Sequence, residues 1–245
     1  MFCGPARSFD VTVVSPHQDD AAFSLALTLF RLAQASVRIR ILNCFTHSDY
    51  APFGADGDAE RVTASRAIED RACYQAIHQA IDVVDLGLQD APLRLGCAPD
   101  QVCDGRAFTD DDREAAATIG AALPEQGWIL APLAFESHID HRVASTAGMD
   151  GAAAQRGFYE DLPYAMRVGE PGIKIAVTSL SERLGRGLEP LLIEGAPGPK
   201  RAWIDAYRTQ ASPSELDAVA GYTKVLRGER IWLPAPVAPF WSVLP

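Results

Sequence analysis

Short apolar, β-branched runs alternate with helix-length segments as far as about residue 170, and this alternation restricts the fold more than any other feature of the chain. Residues 10–14 (DVTVV) read as a strand. After the break at Ser15-Pro16-His17 a helical period begins with Phe23, Ala26, Leu27 and Phe30. A second run, Val37 to Phe45, leads into the polar loop Thr46-His47-Ser48-Asp49, a Gly/Asp/Pro-rich stretch to about residue 58, and a charged helix from about 60 to 80. Val83 to Leu86 is a third strand, residues 110–123 a helix, and Trp128 to Ala131 a fourth strand ending at Pro132, with a further helix starting near Ser137. Such alternation predicts an α/β fold, a Rossmann-like, mostly parallel sheet with helices on both faces, because right-handed crossovers place helices on each side.

Beyond residue 170 the order weakens: Ile173 to Thr178 and Leu188 to Ile193 read as strands, and residues 198–225 as two helices split near Ser212-Pro213. No internal repeat or low-complexity linker interrupts the chain. The expectation is one domain over 1–245, with a Rossmann-like core over about 9–170 and a less regular α+β extension over about 171–245.

A formal charge of −10 argues against a surface that follows nucleic acid or an anionic bilayer, and favours a neutral or cationic partner. No stretch reaches the roughly 18 apolar residues of a membrane span, and the N-terminus lacks the apolar region of a signal peptide, so the chain reads as cytoplasmic. The five cysteines form no C-x-x-C pair and read as small, partly buried hydrophobes; Cys97 and Cys103 are the two that an oxidising compartment could join.

Two motifs carry chemistry. Ser15-Pro16-His17-Gln18-Asp19-Asp20 follows the first strand and offers an imidazole, a carboxylate ligand and a spare carboxylate for proton transfer. Read blandly, Asp19 and Asp20 are helix N-terminal acids. Ser137-His138-Ile139-Asp140-His141 follows the fourth strand; with Ser137 as N-cap, His138 and His141 share one face of the first turn, and Asp140 could complete a capping box. Three of only five histidines thus fall at the carboxyl ends of two parallel strands, where ligands bind in such sheets. Two histidines and a carboxylate with an open position make a catalytic zinc set, whereas a structural zinc calls for four protein ligands.

H-Q-D-D and H-I-D-H, with Arg66-Ala67-Ile68-Glu69-Asp70 between them, resemble the PIG-L/LmbE-like zinc-dependent N-deacetylases, whose motifs usually read H-P-D-D-E and H-x-D-H. Asp90 to Arg94, Tyr159 to Tyr164, Lys200 and Tyr207 to Gln210 resemble further family segments. The resemblance implies that His17, Asp20 and His141 ligate Zn2+, or another divalent metal such as Fe2+, with Asp19 as general base. It further implies that His138 stabilises the oxyanion, that Asp140 holds His138 charged, and that Arg66 and Asp90 contact sugar hydroxyls. Gln18 and Ala21 stand where the family usually has Pro and Glu, as in members reading S-P-H-x-D-D-A that deacetylate natural-product glycosides, and Glu136 stands where some members carry an assisting Tyr.

His47 and Tyr159 join the expected substrate contacts, His47 from the sheet edge after the second strand and Tyr159 by stacking. A solvated loop for the one and a core position for the other are the bland readings. The function implied is removal of an N-acetyl or other N-acyl group from an amino-sugar conjugate or glycoside. The rival is a non-catalytic, metal-containing sugar-binding protein of the same fold. A nucleotide-dependent oxidoreductase fails at the first strand, which lacks the G-x-G-x-x-G turn.

Overall fold

A computed structural model describes residues 9–54, 57–151 and 155–243. In chain order its elements are β1 (Val11–Ser15), α1 (Asp20–Gln34), β2 (Ile39–Asn43), α2 (Ala59–Ile77), β3 (Asp82–Asp85), α3 (Ala91–Leu95), α4 (Asp110–Ala122), β4 (Trp128–Pro132), α5 (Ile139–Asp150), β5 (Gln155–Tyr159), α6 (Tyr164–Leu184), β6 (Leu188–Glu194), α7 (Pro197–Ile204), α8 (Pro213–Leu226) and β7 (Gly228–Pro234). The strands form one mostly parallel sheet in the order β3-β2-β1-β4-β5-β7-β6. β1 to β5 run parallel, and β7 and β6 are added antiparallel. Every residue of β1 and β4 is buried, as expected of central strands covered on both faces.

The chain winds outward from β1 through β2 to β3, then returns to the other side of β1 for β4 and β5. The reversal leaves a crevice outside the carboxyl ends of β1 and β4, where an open α/β sheet binds its ligand. Both motifs emerge there. Helix α5 is brought close by Gly148, where a Cβ would lie 2.6 Å from the Cβ of Ala131 on β4, so only glycine lets the helix sit this near the strand.

The C-terminal part departs from the sequence reading in two places. Ile173 to Thr178 is not a strand but lies within α6, because Ile173, Val177 and Leu180 are buried at helical spacing while Ile175 between them is 72% exposed. Gly228–Pro234 joins the sheet as β7 although the sequence reading assigns it no strand. Its charged pair Glu229-Arg230 masks the apolar run Ile231-Trp232-Leu233. The strand at Leu188 and the helices on either side of Ser212-Pro213 lie where expected. Among the described residues no helix is long and apolar enough to cross a membrane. Cys97 and Cys103 are not disulfide-bonded, and Cys3 lies outside the described residues.

Candidate metal centre

The loop after β1 is closed by Ser15, whose hydroxyl donates to the His17 carbonyl and accepts from the Ala21 N–H. This turn starts α1 with Asp19 at the N-cap, yet the Asp19 side chain makes no capping hydrogen bond. Its carboxylate is left for the cavity. Asp20 turns back, and its Oδ2 accepts from the backbone N–H of His17 at 2.8 Å. After β4 the backbone passes through two left-handed non-glycine residues, Ala134 (φ 63°) and Ser137 (φ 60°), a conformation that costs on the order of 1 kcal/mol each and clusters at functional sites. Ala134 and Phe135 donate their N–H groups to Asp161, which holds this turn in place.

His17, Asp20 and His141 converge so that one ligand atom from each lies within 4.8 Å of the others. Nδ1 of His17 is 3.1 Å and Nε2 of His141 3.3 Å from the same oxygen, Asp20 Oδ2. The far nitrogen of each ring is held by a carboxylate, His17 Nε2 by Asp140 at 3.1 Å and His141 Nδ1 by Asp161 at 2.8 Å. Each carboxylate fixes its ring's tautomer, leaving the lone pair of the inner nitrogen free for a metal. His141 Nε2 is buried without a hydrogen-bond partner, the mark of a donor set that fits a cation between these three groups.

The surrounding carboxylates also raise the pKa of both rings. Burial opposes it, but hydrogen bonds to Asp140 and Asp20 push His17 up to about 9, and the charge of Asp20 raises His141 well above its ordinary value. Asp19 moves the other way from its neighbour. Burial and the charge of Asp20 raise its pKa, whereas Asp20 is held low by His141 and His17 against the cost of burial. Two adjacent carboxylates are thereby sorted into a ligand and a group able to carry a proton.

Asp140 departs from the expected arrangement. Its oxygens accept from His17 Nε2, from the Ala91 N–H at 2.8 Å and from Arg94 at 2.7 Å, and Ser137 is not the cap of α5. No hydrogen bond joins Asp140 to His138, whose Nδ1 is buried without a partner and whose pKa is pushed down to about 3 by burial and by the positive charges of His141 and His17, against the opposing charges of Asp140 and Asp20. The Arg94 side chain, 9% exposed, also bonds Asp112 at 2.8 Å and ties α3 and α4 to the site.

A cavity of about 560 Å³ opens over these groups and is lined by Asp19, Arg66, Asp90 and His138 among others. Arg66 is buried, donates to Ser48 Oγ and the Tyr50 carbonyl, and lies 3.8 Å from Asp19. Asp90 caps α3 and accepts from Ser48 Oγ at 2.5 Å. Tyr159 is not at the cavity: it is fully buried and its hydroxyl donates to the Val14 carbonyl, as the bland reading has it. His47 pairs its backbone with β3's continuation at Gln89 and is not among the lining residues. Ala21 is buried in the core and is not among the cavity-lining residues, and the Glu136 side chain lies outside the described part.

Two residues of this site, Asp161 and Tyr164, lie in the Tyr159 to Tyr164 segment noted for its resemblance, but sequence reasoning assigned neither a role at the metal centre. Tyr164 places its ring 4.8 Å from that of His141 and 5.9 Å from that of His138.

Fold and site together define an α/β protein with a two-histidine, one-carboxylate centre at the switch point of its sheet. The profile of the PIG-L family, described as GlcNAc-PI de-N-acetylase, matches residues 12–152. More than half of the chain is covered, and the protein belongs to this family. Among curated proteins none matches the sequence. Of solved structures, the zinc-inhibited form of teicoplanin deacetylase Orf2 is similar at 18% identity and TM-score 0.63, over 93% of this chain and 99% of that one. N,N'-diacetylchitobiose deacetylase from Pyrococcus horikoshii is similar at 14% identity and TM-score 0.54, over 95% and 88%. GalB, a 4-carboxy-2-hydroxymuconate hydratase from Pseudomonas putida, is similar at 12% identity and TM-score 0.54, over 94% and 98%. Since this fold serves a hydratase too, the reaction must be argued from the site.

Proposed function

We propose that the protein is a zinc-dependent hydrolase that removes an acetyl or other acyl group from the nitrogen of an amino-sugar conjugate. The observation that carries this reading is the convergence of His17 Nδ1 and His141 Nε2 on Asp20, with the carboxylate of Asp19, which caps no helix, in the lining of the same cavity. A divalent cation bound there supplies Lewis acidity toward a carbonyl and makes water nucleophilic at neutral pH. Asp19 takes the proton of the attacking water and returns it to the leaving nitrogen, a role favoured by its raised pKa. His138 donates a ring N–H to the carbonyl oxygen as that oxygen gains charge, which a neutral imidazole can do from one of its two nitrogens. Asp140 acts through His17 as a positioning residue, in place of the role expected for it beside His138. Arg66 and Asp90 meet sugar hydroxyls on the polar side of the cavity.

Membership of a de-N-acetylase family and likeness to two deacetylases support amide hydrolysis over hydration. The test is amine release from a panel of N-acyl amino sugars and their glycosides, with zinc-loaded protein and a chelated control. Release that chelation abolishes is expected. Stoichiometric zinc with no release from any member would favour the sugar-binding reading.

A further inference from the structure

Behind the metal ligands lies a guanidinium that takes no part in the proposed chemistry. Asp140 is fully buried; its Oδ2 holds His17, and its other oxygen, Oδ1, accepts from Arg94 Nη2 at 2.7 Å. The same nitrogen donates to Asp112 Oδ1 at 2.8 Å, so it bridges two carboxylates that are both fully buried. The rest of the fork is committed as well, with Nε donating to Asp112 Oδ1 at 3.3 Å and Nη1 to the Gln89 carbonyl at 2.6 Å. The guanidinium carbon lies 4.7 Å from the centre of the Phe45 ring, which is itself 6.3 Å from that of His17. Arg94 is not among the residues that line the cavity.

Asp140 Oδ2 accepts from His17 Nε2 and from the Ala91 N–H, while Arg94 takes Oδ1. A carboxylate gripped at both oxygens is not free to turn about its Cβ–Cγ bond. The His17 ring that it holds therefore keeps one orientation, with Nδ1 toward Asp20, and such orientation by an outer partner is what a metal-binding histidine depends on. Both donors besides His17 belong to α3, Ala91 at its first residue and Arg94 in its last turn, and its cap Asp90 lines the cavity. Asp112 on α4 completes the arrangement, its Oδ2 taken by the Thr109 N–H and hydroxyl. Arg94 thus neutralises two buried carboxylates, a structural task, and also sets the position of one of them. A lysine, as a point charge, lacks the planar fork that serves Asp112, Asp140 and Gln89 at once.

We propose that Arg94 is a positioning residue of the metal centre, which acts through Asp140 to hold the His17 ring for the cation without itself touching metal or substrate. This rests on the reading of His17, Asp20 and His141 as metal ligands. No bond is made or broken at Arg94.

The experiment measures zinc affinity, by competition with a chromophoric chelator, for the parent, Arg94→Met, Asp140→Asn and the double variant, with thermal unfolding of each in the absence of metal. Loss of an outer partner typically weakens metal binding by about 10–100-fold, and Arg94→Met, one contact further out, should cost about tenfold. The double variant should lose no more than Asp140→Asn alone, because both changes break the same chain of contacts. A lowered unfolding temperature with zinc affinity unchanged would make Arg94 structural only; that result overturns the proposal and leaves the metal centre standing. So do losses from the two single variants that multiply in the double one. Should Arg94→Met fail to fold, Arg94→Lys keeps a charge between Asp112 and Asp140 but not the fork: a loss of more than about twofold in zinc affinity supports the proposal, and a smaller one overturns it. A parent that binds no zinc overturns the proposal and the metal centre together.

Discussion

His17 and His141 are metal ligands in the proposed reading only because two carboxylates, Asp140 and Asp161, occupy their outer nitrogens. The inner three residues were legible in the sequence, since the strand-end motifs that carry them are short and local. Asp161 lies in a segment noted only for its resemblance, and its role was not legible: it depends on β5 running beside β4, so that the loop after one strand meets the helix after the other. The same limit explains Asp140, whose place in H-I-D-H suggested a local partner while the fold gave it His17, Ala91 and Arg94. Replacing an outer carboxylate typically weakens metal binding by about 10–100-fold. Asp161→Ala is therefore expected to lower zinc affinity by that factor in a competition titration, and an unchanged affinity would remove Asp161 from the centre.

At the scale of elements, α2 carries a buried carboxylate behind the cavity. Asp70 is fully buried, accepts from the Tyr207 hydroxyl at 2.9 Å and from Asn43 at 2.8 Å, and is pushed up to about 8 by burial, although these bonds oppose the shift. The unfolded chain loses this proton near pH 4, as an ordinary aspartate does. Between about pH 4 and 8 the folded state therefore binds the proton more tightly, and its stabilising effect, full below that window, is lost as pH rises through it. Asp70→Asn keeps an acceptor for Tyr207 and removes the titration, while giving up the oxygen that accepts from Asn43 Nδ2 and Arg71. Melting curves should show the variant gaining on the parent steadily from pH 4 to 8 and holding level above; parallel curves would show that Asp70 does not titrate there. Periodicity revealed α2 and its charge, but not which of Glu69, Asp70 and Arg71 faces inward, because that depends on Tyr207 arriving from far along the chain.

For the molecule as a whole, the C-terminal strands are joined to the Rossmann-like core by buried ionic contacts, among them Arg230 with Glu160 and a cluster around Glu229. Glu229 on β7 accepts from the Leu27 and Thr28 N–H groups and the Thr28 hydroxyl of α1, and pairs at 2.9 Å with Lys200 of α7, which is fully buried. Removing one partner of a buried pair costs about 3–5 kcal/mol because the other charge is stranded. Glu229→Ala should lose about that much in denaturant unfolding, and a loss below about 1 kcal/mol would show that the Glu229 cluster does not hold β7 in place. The parallel half of the sheet followed from the alternation of strands and helices, whereas this antiparallel addition did not, since its stabilising Glu reads as surface in a sequence.

The central claim, that Asp19 moves the proton beside a cation held by His17, Asp20 and His141, is tested most directly by Asp19→Asn. The account predicts zinc bound at wild-type stoichiometry and amine release reduced by about 100-fold or more, in keeping with the usual worth of a positioned acid–base group. Near-normal turnover by the zinc-loaded variant would contradict it.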